Sequence, residues 1–179
     1  MKLVILDRDG VINEDSKYYV KSPDEWIPIE GSLEAISSLN KNGFTVVVAT
    51  NQGAIGKKIF SEITLNKIHN KMQDLLKEKK AKIDKIFYCP HVDEDNCTCR
   101  KPKNGLMQKI KEHYNMNLDK IPAIGDSARD LEAYSKSDAQ PILVRTGNGK
   151  DVEKRKSYPS NTLIFDNLLE ASKFIIQKK

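Results

Sequence analysis

The sequence predicts an α/β fold, a three-layer Rossmann-like parallel sheet with helices on both faces, and three observations carry that prediction. Short apolar runs alternate with helical patterns along the chain. The first run, Leu3 to Leu6, has no polar interruption, as expected of a strand buried on both faces. Several runs then end in carboxylates, hydroxyls or amides, and the carboxyl edge is where an open parallel sheet binds its ligands.

Taken in order, the first strand covers residues 2–7 and ends in Asp7-Arg8-Asp9-Gly10, where Gly10 lets the backbone turn away. Residues 10–30 carry Tyr18, Tyr19, Trp26 and two prolines without a clear period, so they form either a flap or an extended loop. A helix follows over 32–42, with Leu33, Ile36 and Leu39 on one side and Gly43 at its end. The second strand spans 44–49. Residues 61–79 form the clearest helix, because Leu65, Ile68, Met72, Leu75 and Leu76 repeat at helical spacing as a core-facing stripe. Strands at 84–88, 121–125, 141–144 and 162–165 alternate with helices at 104–115, 128–136 and 167–177, and Thr146 to Gly149 reads as an ordinary connection. Only about twenty residues separate Asp9 from the first helix, so no cap domain fits.

Composition bounds the class. A chain of 179 residues, 39% hydrophobic and 31% charged, suits one globular domain over 1–179, and no apolar run is long enough to span a membrane. Met1-Lys2 followed at once by a strand leaves no room for a signal peptide, so the expected location is cytoplasmic and the expected state monomeric. The net charge of +5 comes mostly from Lys, spread along helices and gathered in the tail Gln177-Lys178-Lys179, with only five Arg. Nucleic-acid readers favour Arg, so a small anionic partner is preferred to a nucleic acid. All three cysteines fall between residues 89 and 99, which argues for a metal or redox site over a disulfide framework.

The chemistry-bearing residues sit at the strand ends. Asp7 and Asp9 are two residues apart, close enough for one carboxylate to attack while the other handles protons. A calcium loop is disfavoured, since Val11 and Ile12 stand where it needs an oxygen ligand and a glycine. Thr50, Asn51, Gln52 and Gly53 offer a hydroxyl, amides and turn N–H groups that suit a phosphate, and Arg100-Lys101-Pro102-Lys103 adds fixed positive charge. Asp126 ends the fourth strand within Gly125-Asp126-Ser127-Ala128-Arg129-Asp130, and Asp7, Asp9 and Asp126 supply the hard oxygens magnesium takes with substrate phosphate. Cys89, His91, Cys97 and Cys99 lie within eleven residues and make a closed set for tetrahedral, structural zinc that stiffens the loop presenting Arg100 and Lys101.

Together these four segments, in this order and each at a strand end, resemble the haloacid dehalogenase superfamily of phosphohydrolases over nearly the whole chain. The resemblance implies that Asp7 is the nucleophile, that Asp9 protonates the leaving oxygen and later activates water, that Thr50 and Lys101 hold the phosphoryl group, and that Asp126 binds Mg²⁺ with Asp130 in support. It implies ionised Asp7 on the metal and protonated Asp9 off it. The zinc loop before Cys99-Arg100-Lys101-Pro102 further resembles the D-glycero-D-manno-heptose 1,7-bisphosphate 7-phosphatases and their neighbours, the histidinol-phosphate phosphatases. The heptose group is favoured. Asp15, Ser16, Lys17 and Tyr18 match its sugar-contacting positions, Asn51, Gln52 and Gly53 its turn, and Arg100 its substrate side. The zinc loop is shorter than in many relatives, and Ser127 stands where some carry a basic residue. A small sugar phosphate is therefore the expected substrate, with histidinol phosphate or a DNA 3′-phosphate as enzymatic alternatives and a zinc-stabilised nucleic-acid-binding module as the non-enzymatic one. A receiver domain is set aside, because Tyr88-Cys89 stands where its phosphorylated Asp would close a later strand.

Overall fold

The computed structural model describes residues 1–178; Lys179, the end of the basic tail, lies outside them. Six strands form one parallel sheet: β1 (Lys2–Leu6), β2 (Phe44–Asn51), β3 (Lys85–Cys89), β4 (Pro122–Gly125), β5 (Gln140–Val144) and β6 (Leu163–Phe165), in the order β3-β2-β1-β4-β5-β6. The chain starts in the middle and winds outward in both directions. Leu6 stands level with Val48 of β2 and Ile124 of β4, so Asp7 leaves the sheet at the point where the strand order reverses.

Alternation along β1 builds two cores. Val4 and Leu6 face one side, packed with Ile36 and Leu39 of α1 (Ser32–Lys41), Ile68 and Met72 of α2 (Glu62–Glu78) and Ala171 of the last helix. Leu3 and Ile5 face the other, against Leu106 and Ile110 of α3 (Gly105–Tyr114), Leu131 and Tyr134 of α4 (Ala128–Ser135) and Val152 of α5 (Gly149–Arg155). The last helix is α6 (Leu168–Gln177). Polar caps mark several starts: the Ser61 hydroxyl accepts from the Thr64 N–H, and Asn167 Oδ1 accepts from the Glu170 N–H.

The three layers and all six strands follow the expected order. One helix was missing from the expectation: α5 follows the connection read over Thr146 to Gly149, in a stretch given no element, because Val152 is its only buried apolar side chain and no helical stripe forms in seven residues. Residues 10–30 are anchored rather than loose. Val11, Ile12, Val20 and Trp26 are buried in the α1 side of the core, while Tyr18 at the tip is 80% exposed. Among the described residues every α-helix and strand belongs to these layers, so only loops cover the carboxyl edge of the sheet.

Candidate active site

Those loops enclose an open cleft of about 320 Å³ above the ends of β1, β2 and β4. Asp7 begins where β1 stops, its N–H donating to the Ile124 carbonyl at 2.8 Å. Its carboxylate meets Lys101, which has crossed β2 from the loop after β3: Lys101 Nζ donates to Asp7 Oδ1 at 2.9 Å and to the Ala49 carbonyl at 2.7 Å, and pairs with Asp130 at 2.5 Å. Lys101 is 1% exposed. Burial works against its charge, yet Asp130 and Asp7 outweigh that effect and hold it above the ordinary lysine range.

Asp130 is committed to the protein. One oxygen serves Lys101, and the other accepts from the Ser127 N–H and hydroxyl, closing the N-terminal box of α4. Asp126 accepts from the Asn148 N–H at 2.7 Å and its side-chain amide at 3.0 Å. Gly10 and Gly147, both at positive φ, let two loops close over this carboxylate where a Cβ would run into it.

The sequence grouped Asp9 with Asp7 and Asp126 as magnesium ligands. The structure gathers a different trio: carboxylate oxygens of Asp7, Asp126 and Asp130 lie within 4.8 Å of one another, and Asp9 is outside the set. Its carboxylate is drawn aside by the Arg8 fork, with Nη2 at 2.9 and 3.0 Å from the two oxygens, by the Asn13 amide at 2.9 Å and by the Gln52 amide at 2.9 Å. The proton affinities also run opposite to the expected order when the protein's own groups act alone. Burial pushes Asp7 up to about 7, against the pull of Lys101 and with the push of Asp130 and Asp9. Burial is outweighed at Asp9, where Arg8, Asn13 and Gln52 hold the carboxyl below its usual range. A divalent cation held by these carboxylates would oppose the first of these shifts.

At the end of β2, Thr50 is fully buried and its hydroxyl accepts from the Gln52 amide at 3.0 Å. Asn51 and Gln52 were read as substrate donors, but both spend their amides on the protein. Asn51 clips the Lys101 backbone at both ends, at 3.0 Å each, and Gln52 ties Thr50, Asp9 and Arg8 together. Gly53 lies under the Arg100 guanidinium, which donates to Asp93 at 2.8 Å and to the His91 carbonyl at 3.1 Å.

On the opposite wall, Asp15 and Ser16 line the cleft, while Lys17 and Tyr18 do not. A turn closed by the Tyr19 N–H on the Ser16 carbonyl carries Tyr18 into solvent and brings Tyr19, at φ 65°, to the wall instead. Sequence reasoning also missed Asn148, whose amide bridges Asp15 and Asp126 at 3.0 Å each, and Arg8 and Arg129. Asn148 opens the unforeseen α5, so its position had no marker; Arg8 stood between the two carboxylates from the start.

The donors of the second cluster converge as expected. The Sγ atoms of Cys89 and Cys97 are 3.6 Å apart, Cys97 and Cys99 3.6 Å, Cys89 and Cys99 3.0 Å, and His91 Nδ1 is 3.6 and 3.4 Å from Cys89 and Cys99. All three cysteines are free. Zn–S bonds of about 2.3 Å in a tetrahedron put sulfurs roughly 3.7 Å apart, so this donor set fits zinc with little adjustment.

Residues 2–153 match the family model described as polynucleotide kinase 3 phosphatase. A D-glycero-beta-D-manno-heptose-1,7-bisphosphate 7-phosphatase of Neisseria meningitidis is 46% identical over 180 residues, covering 99% of this chain and 96% of its own. A D-glycero-alpha-D-manno-heptose-1,7-bisphosphate 7-phosphatase of Campylobacter jejuni is 31% identical over 99% of this chain and 97% of its own. The crystal structure of the D,D-heptose 1,7-bisphosphate phosphatase of Bordetella bronchiseptica, complexed with magnesium and phosphate, superimposes with a TM-score of 0.99 at 44% identity over the whole of both chains. With Asp7 beside a buried lysine at the switch point of such a sheet, the chain belongs to the polynucleotide kinase 3 phosphatase family of haloacid dehalogenase-like phosphatases, in the group formed by the heptose bisphosphate phosphatases.

Proposed function

We propose that this protein removes the 7-phosphate from D-glycero-β-D-manno-heptose 1,7-bisphosphate through an aspartyl-phosphate on Asp7. The observation that supports the chemistry is the seating of the Asp7 carboxylate against Lys101, with Asp126 in the same cleft and Thr50 buried beside it at the end of β2. An oxygen of Asp7 attacks phosphorus while Lys101 and Thr50 receive the phosphoryl oxygens. The phosphorus–oxygen bond to the sugar breaks, and the leaving oxygen takes a proton from Asp9, which has to be loaded with that proton when substrate is bound, because Arg8, Asn13 and Gln52 favour its ionised form in the free protein. Water then attacks the phosphoryl group and gives its proton to Asp9, so inorganic phosphate leaves and Asp7 is regenerated. Asp7 and Asp126 would hold Mg²⁺, which when bound supplies charge that screens the meeting of an anionic nucleophile with an anionic phosphate. Cys89, His91, Cys97 and Cys99 would hold structural zinc.

The substrate rests on the relatives named for the β anomer, which are nearer in sequence than the one named for the α anomer. An uncapped cleft of this size suits a compact sugar phosphate, with Asp15 and Ser16 toward its hydroxyls and Arg100 toward its remaining phosphate. We place the reaction in the cytoplasm, on a single-domain monomer, as a step toward activated heptose for surface polysaccharide. The description of the matching family favours one second reading, hydrolysis of a DNA 3′-phosphate. Phosphate release with Mg²⁺ across both heptose bisphosphate anomers, histidinol phosphate and a 3′-phosphorylated oligonucleotide tests the assignment. A preference for the β anomer by orders of magnitude in kcat/KM is expected. Preference for the oligonucleotide replaces the substrate, and no release from any compound removes the enzymatic reading.

A further inference from the structure

We propose that Arg129 determines specificity: with Arg100 it forms a guanidinium pair for the anionic group of the substrate that Asp7 does not attack, and Asp93 is the positioning residue that holds the pair together. Four cationic side chains, Arg8, Arg100, Lys101 and Arg129, line a cleft that five aspartates also line. Two of the four are spent. Lys101 serves Asp7, Asp130 and the Ala49 carbonyl, and the arms of Arg8 are directed at Asp9, Gln52 and His69. Arg100 and Arg129 are what remains for a ligand. They come from separate elements, the loop after β3 and the first turn of α4, and meet at one carboxylate. Asp93 Oδ1 accepts from Arg100 Nε at 2.8 Å, and its Oδ2 lies 3.5 Å from Arg129 Nη1. Arg100 Nη1 also donates to the His91 carbonyl, while its Nη2 and the remaining N–H groups of Arg129 have no hydrogen-bond partner among the described residues.

Two guanidiniums that share one carboxylate leave positive charge over on this side of the cleft, and their planar forks suit the paired oxygens of a phosphate. The floor around Asp7, Asp126 and Asp130 repels a second anion, so a substrate charged at both ends is oriented with its other end toward the arginines. Asp93 does not line the cleft; it sits in the short turn Asp93–Asp95 of the cysteine-rich loop, where it offsets the mutual repulsion of the two cations and ties α4 to the loop that carries Lys101. The proposal rests on the reading that the substrate bears a second phosphate, and adds that this chain selects for it through Arg129.

Comparing a substrate that has the second phosphate with one that lacks it separates this role from a structural one. Arg129 is 52% exposed, so Arg129→Gln should fold normally. Its kcat/KM ratio for heptose 1,7-bisphosphate over heptose 7-phosphate should fall at least about tenfold below that of the wild type, the scale of a lost hydrogen bond to a charged group. Inhibition by heptose 1-phosphate, which keeps only the second phosphate, should weaken in step. Asp93→Asn should raise KM for the bisphosphate more than it lowers kcat, and should cost less once Arg129 is already replaced. An unchanged ratio in Arg129→Gln, with equal losses on the two substrates or none, would overturn the proposal. The underlying reading fails separately, in the wild type, if no heptose bisphosphate is hydrolysed. The same comparison then runs on fructose 1,6-bisphosphate and fructose 6-phosphate, and no release from either removes the Arg129 proposal as well.

Discussion

Replacing Lys101 by Met takes one positive charge out of a site that holds Asp7, Asp126 and Asp130, all at least nine-tenths buried, and leaves the side-chain volume nearly unchanged. Breaking a buried ion pair by deleting one partner costs about 3–5 kcal/mol, because the charge left behind has lost both water and its counterion. For a chain of this size each kcal/mol moves Tm by about 2–4 °C, so a loss of roughly 6–20 °C is expected without added Mg²⁺. The loss depends on pH, with a sign that follows from Asp7. Folding raises its pKa from the ordinary 3.8 to about 7, so its contribution to stability is fully present below pH 3.8 and is lost as pH rises through 7. Lys101 is what limits that rise, and without it Asp7 stays protonated to higher pH. The deficit should therefore be largest near pH 8, shrink toward pH 5, and be reduced by millimolar Mg²⁺. Circular dichroism melts of the two proteins at pH 5, 6.5 and 8 measure it. A deficit under about 3 °C at pH 8, or one that does not change with pH, would refute the reasoning.

Four further outcomes follow from the same geometry. Asp7→Asn should abolish turnover and leave Tm equal or higher, since a buried acid is replaced by a neutral amide; activity assays and melts report both. Proton and cation should compete for Asp7, so the Kd for Mg²⁺, read by calorimetry, should weaken up to about tenfold per unit as pH falls below 7. Stripping the four-residue Cys/His cluster with a chelator, or Cys99→Ser, should lower Tm and leave activity depressed after Mg²⁺ is restored, because the loop carrying Arg100 and Lys101 loosens. Asn148→Ala should lower kcat/KM for the sugar phosphate at least about tenfold, since Asp126 and Asp15 lose a shared donor and a hydrogen bond to a charged group is worth about 1.5–3 kcal/mol; steady-state kinetics decide it.

The strand ends were legible because chemistry and fold coincide there: Asp7, Thr50 and Asp126 are the first polar residues met after apolar runs and Lys101 follows a cysteine-rich loop, and the fold brings Asp7, Lys101 and Asp126 to one cleft with Thr50 buried at the end of β2. The cysteine cluster was legible for a related reason, since four soft donors in eleven residues need no long-range folding to meet. What pattern could not convey was how side chains divide their hydrogen bonds. Asn51 and Gln52 have the right chemistry for a substrate, but whether an amide faces a ligand or a neighbouring loop depends on where Lys101 and Arg8 arrive, roughly fifty residues away in sequence. Asp9 stands apart from the carboxylates of Asp7, Asp126 and Asp130 for the same reason: two positions from Asp7 it is near in sequence, yet its oxygens are engaged by Arg8, Asn13 and Gln52. Asn148 was invisible because α5 is short and contributes one apolar side chain to the core, so no periodicity announced it.

The central position of β1 has a consequence for how the molecule comes to exist. The first strand made waits for more than a hundred residues to gain its second edge, because that edge pairs with β4 and the N–H of Asp7 itself is satisfied by Ile124. On a ribosome emitting the chain from its N-terminus, β1, β2 and β3 can assemble while the partner edge of β1 is still missing. Lys101 precedes Asp126 and Asp130 in the chain, so the cation of the site emerges before two of the three carboxylates gathered around it. Pairing of β4 with β1 and arrival of Asp126 at the site go together, and a nascent fragment ending before Ile124 carries Asp7 without the edge that fixes its backbone.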